Sequence, residues 1–313
     1  MQFGAGLRSI IIRDLARSRM EYGGFNAYCQ SADIVPMESL DTGCNEFQIQ
    51  DEERFQRFLA GDFERFTLAA IESFYRSRSA GTDLSFTAWR LLESYYAAFF
   101  AGHAIMRALG GGVSYLASSE ASRIRQIADL YGLSDFDLAA GSVFFEILEQ
   151  DGSWRLTIRS GTRGKGVHDG FWRDFCDFIQ RRAEKSVAEG GSDATDLLAA
   201  TVALTDRILV GGNGTASWLA ETRNAINYRH ELNAWFPYHK SLDVNFRERL
   251  LGPDAESVFR IDLSRARETL PLFENLNAKI VHILWDVAEL FQSISKKSGH
   301  FGNRYSRMIA LMV

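Results

Sequence analysis

Phe55, Phe58, Leu59, Phe66, Ala69 and Ala70 recur at helical spacing along 51–78, the pattern of a helix that buries one face. Asp51, Glu52 and Glu53 precede them, where carboxylates complement the helix dipole. The pattern predicts a long helix, broken at Gly81. A second follows, capped by Asp83 or Ser85, running to about Leu109 and stopped by Gly110, Gly111 and Gly112. Two long helices with a short join make an antiparallel hairpin, the start of an up-down bundle. The same period predicts helices over 2–20, 119–132, 169–189, 194–210, 215–233 and 262–296, the last kinked near Pro271. The tail 300–313 ends in an apolar run of no assigned role.

Elsewhere the period changes. Val143 to Glu149 and Trp154 to Arg159 flank Asp151-Gly152, which predicts a two-stranded hairpin. Residues 30–50 read as irregular, with Pro36 and Gly43 as breakers. A glycine-rich basic loop spans Gly161 to Gly166, and Gly190-Gly191-Ser192 reads as a break. The expected fold is mainly α, a helical bundle with an inserted β-hairpin. Its parts are an N-terminal extension at 1–50, a first half of the bundle at 51–133, an insertion at 134–190 and a second half at 191–313.

Composition narrows the class. With 313 residues, 46% of them hydrophobic, the chain can bury a sizeable core. No run approaches ~18 apolar residues, and the apolar stretch near the start, Ile10 to Ile12, has no cleavage site after it. A soluble, cytoplasmic protein is expected, with no membrane contact. Cys29, Cys44 and Cys176 form no CxxC pair, and no Cys or His pair has zinc-ligand spacing, so neither metal nor cofactor is expected. Net charge is −5, so any nucleic-acid contact needs a local patch. Residues 155–185 offer one, with eight Lys/Arg (155, 159, 163, 165, 173, 181, 182, 185) against four acids (169, 174, 177, 184). With the glycine loop, Arg163 and Lys165 would track phosphates; the alternative is an ordinary solvated face.

The stretch richest in chemistry is Glu221 to Glu231. On a continuing helix Arg223 and His230, seven residues apart, fall within about 20° of one face, and Asn227 lies between them. RNA cleavage needs little more. The 2′-hydroxyl loses a proton and the 5′-oxygen gains one, both within reach of an imidazole near neutral pH. Arginine supplies a fixed cation for the phosphorane. Asn224 and Asn227 are poor interior helix formers, and their presence beside Arg223 and His230 favours a functional site.

Arg223-Asn224, five further residues and His230 resemble the motif of HEPN domains, an Arg followed by Asn, Asp or His, with four to six residues between the Arg and a His. The run Ser94 to Arg107, rich in Tyr, Phe and Ala, is similar to the aromatic early helix of that fold. The resemblance spans 51–109 and 194–296. It implies a HEPN-like bundle that forms a homodimer, with the Arg and His of both protomers lining one cleft for RNA. It further implies a toxin or anti-phage effector, with an antitoxin or sensor protein as partner. Some family members carry a modified Tyr two residues after the His; here that position is Leu232, which argues against such regulation.

On this reading the catalytic residues are Arg223, His230, Asn224 and Asn227, in a metal-independent endoribonuclease that leaves a 2′,3′-cyclic phosphate. Trp235 and Tyr238 would stack on RNA bases or, alternatively, close the core. A non-catalytic HEPN-like module binding a nucleotide or a protein is the rival function, and a helical scaffold with an accidental motif the third. His103, among Ala and Phe, reads as a core histidine, and His168 as a cap-region residue.

Overall fold

The computed structural model describes residues 3–30, 33–39, 43–79, 87–133, 136–150, 152–161, 166–209, 217–235, 266–295 and 300–312. In chain order the helices are α1 (Phe3–Ile10), α2 (Gly24–Cys29), α3 (Glu52–Ser79), α4 (Thr87–Ala108), α5 (Ser118–Leu130), α6 (Val167–Ala188), α7 (Ala194–Leu209), α8 (Trp218–Asn227), α9 (Ala266–Ser295) and α10 (His300–Met312). The strands are β1 (Ile34–Met37), β2 (Cys44–Ile49), β3 (Gly111–Leu116), β4 (Gly141–Gln150) and β5 (Ser153–Ser160). Among the described residues the protein is mainly helical with one antiparallel sheet, ordered β1-β2-β5-β4-β3.

The two long helices form as their periodicity predicts. Phe55, Phe58, Leu59 and Phe63 of α3 are buried, as are Leu91, Leu92, Tyr95, Ala98 and Ala101 of α4. α9 packs along both, with Phe63 against Phe291 and Tyr95 stacked on Phe273. The hairpin also forms, with Gln150 opposite Ser153 across the two-residue turn and Gly152 at φ 76°. Its strands are the centre of the sheet. Phe145 stacks on Phe25 and lies near Phe55 and Phe58, while its neighbour Phe144 meets Phe178 of α6. Successive side chains point to opposite faces, so β4 is covered by helices on both sides.

Three expectations are corrected. The helix expected over 2–20 stops at Ile10, and a 3-10 turn follows at Arg13–Arg17. Ile12 between them is extended and its N–H donates to Ala108 O, which ties the segment to the end of α4. Residues 30–50 are not irregular throughout, because β1 and β2 carry the sheet to its edge. Pro36 fits there, since β1 has a neighbour on one side only. Finally, the glycines after α4 do more than stop it. Gly110 turns the chain at φ 81° and β3 begins at Gly111. The buried Arg107 bonds Gly111 O, Val113 O, Ser114 Oγ and Asp62 Oδ2. A Cβ on Gly112 would come 1.3 Å from Arg107 Nη1, so that position has room for glycine alone.

Candidate active site

α8 starts at Ser217, whose hydroxyl accepts from Ala220 N and whose own N–H donates to Asp169 of α6. The helix ends at Asn227, short of the 233 expected. The backbone N–H groups of Tyr228 and Arg229 both turn back to Asn224 O. His230, Leu232 and Asn233 then adopt left-handed backbone, at φ 53°, 66° and 53°. Each such non-glycine residue costs about 1 kcal/mol or more, and clusters of them mark functional segments. The single helical stripe is therefore corrected: Arg223 and Asn227 are on α8, and His230 stands in the turn beyond it.

Arg223 is 5% exposed. Its Nη2 donates to Tyr96 Oη at 2.6 Å and its Nη1 to Asn224 Oδ1 at 2.9 Å, while Nε is buried without a partner. The guanidinium carbon lies 4.9 Å from the centre of the Tyr228 ring and 5.6 Å from that of Tyr96. Burial opposes the charge, but hydrogen bonds to the Tyr96 and Tyr228 hydroxyls outweigh it and raise the pKa further above its usual value. Among the described residues Arg223 makes no ion pair. Among the described residues its partners are neutral oxygens, so the charge can take an anion as a further partner.

His230 is exposed and stacks on Trp235, with ring centroids 5.2 Å apart. The Trp235 indole donates to Ile226 O at 2.6 Å and meets Trp89 of α4 edge-on at 5.6 Å. Trp89 and Tyr228 are 56% and 68% exposed. Trp89, Trp235 and His230 thus form an aromatic group drawn from α4 and the turn after α8, and Tyr96 and Tyr228 are the rings against Arg223. Trp89 was not singled out from the sequence, where nothing distinguishes it from core aromatics.

Tyr96 was also missed, and His168 stands where the sequence put it, in the cap region of a helix. His168 lies in the first turn of α6, and its ring centroid is 5.5, 5.9 and 4.7 Å from those of Tyr95, Tyr96 and Phe99. Burial, then the charge of Arg223, depresses its pKa to about 4. His103 is the core histidine expected, sandwiched between Phe66 and Phe171, with Nδ1 unpartnered.

The basic patch of 155–185 is largely neutralised. Arg155 pairs with Glu46, Arg159 with Asp174, Arg173 with Asp169, Arg181 and Arg182 with Glu146, and Lys185 with Glu189. Arg163, Lys165 and Tyr238 lie outside the described residues. Among the described residues no group of three or more His, Cys, Asp or Glu could hold a metal ion, and no helix is long and apolar enough to cross a membrane. No family model, curated protein or solved structure matches the chain.

Proposed function

We propose that this chain is a HEPN-type, metal-independent endoribonuclease that cuts RNA by attack of the 2′-hydroxyl and leaves a 2′,3′-cyclic phosphate. The observation that carries the reading is Arg223, a permanently charged fork held by Tyr96 and Asn224 with no carboxylate paired to it among the described residues. A phosphodiester is the anion that suits a planar fork. His230, on the exposed turn that follows α8, would exchange protons with the reacting oxygens. Asn224 holds the guanidinium, and Asn227 ends the helix where the chain must turn to present His230. Trp89, Trp235 and Tyr228 offer faces on which unpaired bases stack.

A homodimer with a shared cleft, a cytoplasmic toxin or anti-phage role, and an antitoxin or sensor protein as partner rest on the family resemblance of the motif. The test is incubation of single-stranded RNA with the purified protein in EDTA, with mass spectrometry of the new ends. Fragments ending in a 2′,3′-cyclic phosphate support the proposal; intact RNA, or cutting that EDTA stops, contradicts it. One observation favours a binding module instead: the His230 ring is stacked on Trp235, where it widens the aromatic surface without any proton transfer. The His230→Ala variant separates the two: a ribonuclease loses its cutting and keeps binding, whereas a binding module has no cutting to lose and binds RNA more weakly without the ring.

A further inference from the structure

His168 has no part in the motif, yet its position is poorly explained by packing. Its Nδ1 is buried with no hydrogen-bond partner among the described residues, while the ring as a whole is part-exposed. A phenyl ring would fill the space between Tyr95, Tyr96 and Phe99 without burying an unpartnered nitrogen. Tyr96 is the link to the site. Its hydroxyl accepts from Arg223 at 2.6 Å, and its ring lies 5.9 Å from the His168 ring. Asp169, the next residue, accepts from the Ser217 N–H at the cap of α8. The starts of α6 and α8 are thereby pinned together, and imidazole and guanidinium keep a fixed relation.

Resting on the ribonuclease reading, we propose that His168 is a catalytic base of the Arg223 site, taking the proton from the attacking 2′-hydroxyl. The O2′–P bond forms, the P–O5′ bond breaks, and the 2′ proton passes to His168. His230 returns a proton to the departing O5′. Arg223 faces the charge that builds on the phosphorane. The products are a 2′,3′-cyclic phosphate and a 5′-hydroxyl, with no change of oxidation state. The titratable groups that face His168 are Tyr95, Tyr96 and His103 from α4 and Arg223 from α8. Burial first, and the charge of Arg223 second, keep the imidazole neutral at working pH, the form that accepts a proton. A bound phosphodiester offsets that positive field and strengthens the base as it is needed. Each chain then carries two imidazoles of its own, and a second protomer is not required to supply one.

The test compares wild type with His168→Gln, His168→Phe and His230→Ala on two substrates. One is ordinary RNA; the other has sulfur in place of the bridging 5′-oxygen, so its leaving group needs no proton. On ordinary RNA all three variants should be slowed about 100-fold or more. The sulfur substrate should rescue His230→Ala and leave both His168 variants slow. His168→Phe keeps the aromatic packing, and thermal melts confirm the fold. Wild-type rates for a folded His168 variant, rescue of it by the sulfur substrate, or loss of the fold in both variants overturns the assignment of His168 while the ribonuclease reading stands. No cutting by the wild type on either substrate overturns both.

Discussion

The Tyr96 hydroxyl on α4 accepts a hydrogen bond of 2.6 Å from Nη2 of Arg223 on α8, and these two residues are 127 apart in the chain. The bond aims a buried guanidinium whose other side-chain acceptors are Asn224 and the Tyr228 hydroxyl. Tyr96→Phe keeps the ring and removes the acceptor. Hydrogen bonds to charged groups contribute about 1.5–3 kcal/mol, so RNA cleavage should fall by roughly tenfold or more with a modest loss of stability. A rate equal to wild type would show that Tyr96 does not position Arg223.

Trp89 gives a cleaner test of the aromatic surface than Trp235, because it is more than half exposed and its removal opens no core. Stacking on one base contributes about 1–3 kcal/mol, so Trp89→Ala should weaken single-stranded RNA binding by roughly 5-fold to 100-fold. Its melting temperature should stay near that of wild type. Unchanged affinity would remove α4 from the RNA surface.

Gly112→Ala tests the buried Arg107 junction. The new methyl group and the guanidinium cannot share the space, so Arg107 must leave Asp62 or β3 must shift. Breaking a buried ion pair costs about 3–5 kcal/mol, which predicts a drop of several degrees in a thermal melt. A melt within a degree of wild type would contradict this packing.

Acid should weaken the fold through its histidines. His103 is held well below its ordinary pKa by burial first and by Arg107, Arg65 and His168 next, and His168 is depressed to about 4. As pH drops below about 6.5 the unfolded chain protonates these rings and the folded chain does not. The unfolded state then binds more protons, so this contribution to stability, full above about 6.5, is lost as pH falls towards the depressed folded values, about 4 for His168. His103→Phe keeps the stack between Phe66 and Phe171 and should melt with a smaller drop from pH 7 to pH 5 than wild type. The same drop in both proteins would show that His103 carries none of this loss.

The bundle was legible because α3 and α4 repeat their buried Phe, Leu and Ala at helical spacing, and the hairpin because Asp151-Gly152 joins two β-rich runs. β1 and β2 were hidden because their pairing depends on β5, far away in sequence, and because β1 is four residues long with Pro36 inside it. β3 opens on two glycines that read locally as a stop. Arg223 could be singled out from its own helix. The position of His230 could not, since the 3.6-residue period was carried past Asn227, where the chain turns left-handed three times. Tyr96 and His168 reach the site only through the packing of α4 and α6 on α8, which no local spacing encodes.

His230→Ala measures the central claim most directly. The side chain is exposed and lies outside any helix, so its loss should leave the melting temperature within a few degrees. In EDTA, with labelled single-stranded RNA, the variant should cut about 100-fold more slowly than wild type or not at all, with binding retained. Equal rates of cleavage by the two proteins would contradict the assignment of His230, and with it the catalytic reading of the motif.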